Sequence, residues 1–180
     1  MLIDVAQSAV LVVDVQTRLA PAMHEREACI DRCRVLVQAA RRLDVPVIAS
    51  EQYPDGLGPT VEALAALLPP ERVFAKRHFA GATDPALGAA LRALDRAQIV
   101  LCGMEAHVCV LQTALGLKAE GLAPVVVADA VASRRPESKA LALARLRAHG
   151  VEIVEAEMVL FEWLREAGTP AFKALLPLIK

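Results

Sequence analysis

Six short aliphatic runs, each parted from the next by a segment of helical spacing, constrain this chain more than any other feature. The runs are Gln7–Val13, Val45–Ser50, Arg72–Lys76, Gln98–Cys102, Pro124–Ala128 and Val151–Glu155. Each is short for a helix and carries mostly apolar side chains in succession, which marks strands covered on both faces. Strands of that kind pair in parallel and need long crossovers between them. The intervening segments supply them as helices over Glu27–Leu43, Thr60–Leu68, Asp84–Arg96, Ala106–Glu120 and Pro136–His149. Local signals agree. Asp84-Pro85 offers an N-cap followed by proline at the first helical position. Thr60 is placed to cap the helix that follows it, and Gly150 is a good C-terminal stop. Two terminal helices are expected over Glu157–Glu166 and Phe172–Lys180. The pattern predicts an α/β fold, a three-layer α/β/α sandwich built on a six-stranded, parallel, doubly wound (Rossmann-like) sheet.

The bulk properties remove several function classes. A length of 180 residues suits a single domain over 1–180, and 56 % hydrophobic with 23 % charged residues is a globular composition. A net charge of −1 and only 3 % aromatic residues give nucleic acid and anionic membranes nothing to hold. The N-terminus lacks the charged start and long apolar stretch of a signal peptide, and no apolar segment approaches the roughly 18 residues of a membrane span. A cytoplasmic protein is expected. Four cysteines, Cys29, Cys33, Cys102 and Cys109, do not make a disulfide framework. Cys29 and Cys33 share a helix face without a histidine or second cysteine pair at ligand spacing. They read as packing residues and not as a zinc site.

In open α/β sheets the ligand crevice lies outside the carboxyl ends of the strands, so the reactive residues there matter most. The fourth run ends near Gly103, and Cys109 follows in the first turn of the next helix. The helix dipole and unpaired N–H groups of that turn favour thiolate, although free cysteine is also among the most buried residue types. Asp14 ends the first run, with Gln16 just beyond it. Lys76 ends the third, whereas the other four lysines fall on helices or at the terminus. Alone, a strand-end aspartate caps a turn and a strand-end lysine reaches water. Together the three have a chemical logic: the cation and the dipole lower the thiol pKa, and the carboxylate carries the proton.

With these residues in place the chain resembles the isochorismatase-like cysteine hydrolases over nearly its whole length. The resemblance rests on Leu11-Val-Val-Asp-Val-Gln16, on Gly103-Met-Glu-Ala-His-Val-Cys-Val-Leu-Gln-Thr-Ala114 and on Val127-Ala-Asp-Ala-Val-Ala-Ser133. Within the family it is most similar to the small isochorismatase-domain proteins of unassigned substrate, through Glu51-Gln-Tyr-Pro and Gly56-Leu-Gly-Pro-Thr60. The resemblance implies a catalytic triad of Asp14 as general base, Lys76 as charge and Cys109 as nucleophile of an acyl-enzyme. It also implies a cis peptide between Met104 and Glu105, with the backbone N–H groups of Glu105 and Cys109 forming an oxyanion hole. Nicotinamidases of the family carry a metal on an Asp-x-His segment. Here that region reads Ser50-Glu-Gln-Tyr-Pro-Asp55 without histidine, which implies no metal, no cofactor and a substrate other than nicotinamide.

Placement after strand ends nominates Gln16, Leu19, Gln52, Tyr53, His78 and Phe79 as substrate-pocket residues, with Glu105 beside them. His107 lies two residues before Cys109, and residues two apart on a helix face different ways. His24 and His149 read as surface residues, and Asp129 as a ligand of backbone groups after the fifth strand. The apolar C-terminal stretch suits either a cap on the sheet or a subunit contact. Family members are commonly oligomeric, so a homo-oligomer, a dimer or larger, is expected. The expected activity is hydrolysis of a small amide-like compound, with C–N bond cleavage through Cys109. The alternative is an oligomeric scaffold or small-molecule binder of the same fold with little or no hydrolysis.

Overall fold

The structure is a computed structural model that describes residues 2–179. Among them, six strands form one sheet: β1 (Ser8–Val13), β2 (Val47–Gln52), β3 (Val73–Lys76), β4 (Gln98–Met104), β5 (Ala123–Ala132) and β6 (Glu152–Val154). The order across the sheet is β3-β2-β1-β4-β5-β6, and every neighbouring pair is parallel. The chain winds outward from β1 to β3, then returns to lay β4 on the other side of β1. That reversal makes the β1/β4 junction the topological switch point, where the carboxyl ends of the strands open a crevice.

Helices cover both faces. One carries α1 (Arg26–Arg42), α3 (Glu62–Ala65), α7 (Ala156–Leu164) and α8 (Pro170–Ile179); the short α2 (Pro54–Leu57) lies in the loop after β2. The other carries α4 (Pro85–Ala93), α5 (Leu111–Ala119) and α6 (Pro136–Ala148). The central strand shows why both are needed. Val10 and Val12 of β1 pack towards α1, whereas Ala9, Leu11 and Val13 pack towards α5, all of them buried. A strand apolar on alternate faces has to be covered twice. The C-terminal stretch caps the sheet through Val159, Leu160, Trp163 and Leu175, and the Trp163 indole donates to the Ser8 hydroxyl at 3.0 Å. Among the described residues no helix is long and apolar enough to cross a membrane.

Several boundaries move from the expected ones, each for a local reason. β2 runs on to Gln52, because its last four residues pair with β3 up to Gln52 beside Lys76. Thr60 is not a helix cap: its N–H and hydroxyl donate to the Glu51 carboxylate at 2.6 and 2.7 Å, and α3 begins only at Glu62. β5 continues past Ala128, and a register shift against β4 between Leu101 and Gly103 leaves Asp129 inside the strand. Its carboxylate still binds a backbone group, the N–H of Ala156, at 2.9 Å. Asp84 does cap α4, accepting from the N–H groups of Ala86 and Leu87. The last expected helical residue, Lys180, lies outside the described residues.

Gly103 holds the switch point tight. It pairs with Val13 at the end of β1, its φ is +115°, and a Cβ there would fall 2.0 Å from the Val13 carbonyl oxygen. Both the backbone angle and the space require glycine. Replacing Gly103 by alanine is expected to cost about 3 kcal/mol or more of stability, read as a fall in the urea midpoint.

Candidate active site

Asp14, the residue after β1, turns away from the strand at φ +51°, a left-handed conformation that a short polar side chain tolerates better than a branched one. The turn buries its carboxylate completely, and the two oxygens are held separately. Oδ1 accepts from the Ser50 hydroxyl at 2.7 Å, and Oδ2 accepts from the Lys76 ammonium at 2.7 Å. Both members of the ion pair have side chains with 0 % exposure. A charge removed from water in this way survives only with its partner and hydrogen bonds in place. Ser50 is the residue that sequence reasoning missed. Its signal was its position two residues before Gln52, since residues two apart on a strand face the same way.

Cys109 reaches the same place from the other side of the switch point. β4 ends at Met104, the Met104–Glu105 peptide is cis, and residues Ala106–Val110 form one π-helical turn before α5 begins. The thiol is nearly buried, and the negative charge of the Asp14 carboxylate acts on it. Its acidity contradicts the expected thiolate. Burial, first, and then the negative charge of Asp14 push the thiol up to about 12, against a weaker downward pull from Lys76. The group at rest is therefore a neutral thiol beside a carboxylate. Burial and the carboxylate outweigh what the helix start and the lysine offer.

The other three thiols lie in the core, far from solvent. Cys29 and Cys33 on α1 both donate to the Ala130 carbonyl at 3.3 Å. Hydrogen bonding with Cys33, then burial, holds the Cys29 thiol well above the usual range, and hydrogen bonding with Cys102 does the same for Cys33. Among the described residues all four cysteines are free, and no group of three His, Cys, Asp or Glu side chains is arranged to hold a metal.

A cavity of about 390 Å³ opens beside Lys76 and is lined by Tyr53, Pro54, Asp55, Ala75, Arg77, His78 and Asp84 as well as the lysine. Of the nominated pocket residues, Tyr53 and His78 belong to its walls. Phe79 is exposed next to His78. The Arg77 guanidinium sits over the Tyr53 ring at 4.9 Å, and His78 pairs with Asp84 at 3.2 Å. Asp14 and Cys109 are not part of this lining. Leu19 is half-buried against the α1-side core, and Gln16 and Gln52 are buried with their amides engaged by the protein itself. His107 pairs with the Ser133 hydroxyl at 2.9 Å. Glu105 is tied by its carboxylate to the backbone and guanidinium of Arg134, at 3.2 and 3.0 Å. No sequence pattern announces that pair, which spans 29 positions.

The comparisons with known proteins agree with this architecture. The isochorismatase domain model matches residues 8–158. Isochorismatase domain-containing protein 2 of Danio rerio is 36 % identical, over 96 % of this chain and 86 % of its own length. A solved structure described as MAR1 ribonuclease from Caenorhabditis elegans superposes with a TM-score of 0.93 at 34 % identity, covering 99 % of this chain and 92 % of that one. YcaC from Pseudomonas aeruginosa, solved with hexane-2,5-diol and covalent acrylamide, gives a TM-score of 0.92 at 26 % identity, over 98 % and 91 % of the two chains. The matched stretch begins with β1, carries the switch point with Asp14, Lys76 and Cys109, and ends inside α7, so this chain belongs to the isochorismatase domain family of hydrolases.

Proposed function

We propose that the protein is a metal-independent cysteine hydrolase that cleaves the C–N bond of a small amide-like compound through an acyl-enzyme on Cys109. The observation that carries this reading is the Asp14 carboxylate, held by Ser50 and Lys76 on one side and acting on the Cys109 thiol on the other. A thiol pushed up to about 12 supplies almost no thiolate at neutral pH. Attack therefore needs the proton removed as the bond forms, and Asp14 is the base in place.

The steps follow from that assignment. Asp14 takes the thiol proton while Sγ adds to the amide carbonyl carbon. The resulting oxyanion is met by the backbone N–H groups of Glu105 and Cys109. The tetrahedral adduct collapses with loss of the amine, which leaves carrying the proton from Asp14. Asp14 then deprotonates water, which attacks the thioester, releases the acid and restores the thiol. Lys76 supplies a fixed positive charge against the Asp14 carboxylate, 2.7 Å from Oδ2, throughout these transfers. Tyr53, His78 and Phe79 form the substrate entrance, and a second subunit of a homo-oligomer closes over the exposed Tyr53 and Phe79. Four free thiols fit a reducing, cytoplasmic setting.

The relative described as a ribonuclease does not carry RNA to this chain. A net charge of −1 gives a polyanion no attractive field, and the histidine nearest Cys109 in the chain is turned to Ser133. The acrylamide held covalently by the YcaC relative supports the presence of a nucleophile in this fold.

Intact-mass spectrometry of the protein with a panel of small amides tests the reading. An adduct on Cys109 that forms and then decays with release of acid is expected. Saturable binding without an adduct, unaltered in Cys109→Ser, would establish the binder alternative instead. The pH dependence is a second test. Alkylation of Cys109 by iodoacetamide is expected to accelerate about tenfold per pH unit from about pH 7 to 10 without levelling. A plateau below about pH 9 would reveal a preformed thiolate and remove the need for Asp14 as base.

A further inference from the structure

Lys76 ends an edge strand with its ammonium wholly inside the protein, and an ammonium has three protons to place. The structure accounts for three acceptors: Asp14 Oδ2 at 2.7 Å, Gln52 Oε1 at 2.6 Å and the His78 carbonyl at 3.2 Å. No proton is left over to give to a thiolate, an oxyanion or a departing amine.

The Gln52 acceptor is held from two directions. Its Nε2 donates to the Arg77 carbonyl at 2.9 Å, which obliges the amide oxygen to face Lys76. Its backbone is clamped by Gln16, whose Oε1 accepts from the Gln52 N–H at 2.8 Å while Nε2 donates to the Gln52 carbonyl at 3.1 Å. The same Gln16 Nε2 donates to the Gly58 carbonyl at 2.6 Å, so the loop after α2 is tied into the arrangement. Gln16 is completely buried, and every one of these bonds joins it to backbone. Such a fully satisfied buried network fixes one geometry, because any partial break leaves a polar group unpaired. Ser50 and Gln52 then divide the ion pair between them from one face of β2, the hydroxyl on the carboxylate and the amide on the ammonium.

We propose that Gln52, locked in place by Gln16, is a positioning residue that makes Lys76 a fixed, non-donating cation, so that every proton of the reaction passes through Asp14. The inference rests on the cysteine-hydrolase reading for its consequence, but its physical content lies in the lysine ammonium and is measured there. The experiment follows the Lys76 NH₃⁺ protons by ¹H–¹⁵N spectroscopy of the full chain, with the signal assigned by its loss in Lys76→Arg.

Three satisfied protons inside the protein predict a resolved, slowly exchanging ammonium signal near neutral pH, unlike those of surface lysines. Gln52→Met removes the acceptor and is expected to speed exchange at least about tenfold. Gln52→Glu keeps an acceptor oxygen towards Lys76 and is expected to keep the slow signal. A wild-type ammonium that exchanges as fast as surface lysines would overturn the proposal. So would equal exchange in the Met and Glu variants, since a role in packing alone does not separate them. If Gln52→Met does not fold, the wild-type and Gln52→Glu signals decide by the same criteria. Absence of any Cys109 adduct would instead defeat the hydrolase reading and leave the ammonium result standing.

Discussion

Cys109→Ser is expected to lower turnover of any amide substrate by at least about 10⁴-fold, because the nucleophile and its base act as a unit. The hydroxyl that replaces the thiol is a far weaker acid, and Asp14 would have to remove its proton in the same buried setting. Cys109→Ala is expected to abolish adduct formation altogether, both with amides and with iodoacetamide, when adducts are mapped by peptide mass spectrometry. Cys33 and Cys102 are at 0 % exposure, and hydrogen bonding with Cys33 and burial hold the Cys29 thiol well above the usual range, so none of them should take over the label. Labelling of Cys29 or Cys102 as fast as Cys109 would mean that the site does not single out its thiol. The alanine variant also separates a stability effect. A thiol raised in the fold from 9.0 to about 12 favours the folded state below pH 9.0, and that favour drains away as the pH climbs towards about 12. Wild-type protein should therefore lose stability across this alkaline window, and Cys109→Ala should lack that part of the loss.

Lys76→Met is expected to be the most damaging single change to the fold at this site. It leaves the Asp14 carboxylate at 0 % side-chain exposure with only the Ser50 hydroxyl as partner. Breaking a buried pair from one side costs about 3–5 kcal/mol, which consumes a large share of the stability of a domain this size. Chemical denaturation measures it. Asp14→Asn keeps the shape but leaves the buried Lys76 ammonium without its counter-charge, so it should also cost stability and be severe for adduct formation. The double variant Lys76→Met with Asp14→Leu should be less destabilised than Lys76→Met alone, because no unpaired charge remains. A cost below about 1 kcal/mol for Lys76→Met would show that water reaches the pair.

The periodicity of the chain was enough to place the six strands, their parallel pairing and the crossover helices. A run such as Ile99–Cys102 has one way to be dry on both faces, and Asp84-Pro85 has one way to cap. The candidate triad was legible for a related reason. Strand ends are positions that topology forces to one edge, which nominated Asp14, Lys76 and Cys109, and the fold pairs Asp14 with Lys76 there at 2.7 Å. What the sequence did not decide was protonation. The dipole and the lysine argued for thiolate, and only the depth of Cys109 and the nearness of Asp14 reversed the sign, because desolvation depends on what surrounds a group in space.

Gln16 and Gln52 show the same division. Their place after strand ends nominated them for the pocket, but the fold turns both amides inward, onto backbone and onto Lys76. Composition and spacing determined the parallel, doubly wound sheet and the edge at which chemistry-bearing side chains gather. The tertiary structure alone decided which of them face each other, which stay dry and which hold a proton. Hydrophobic pattern acts along the chain, whereas hydrogen bonding and desolvation act only between atoms that the finished fold has brought together.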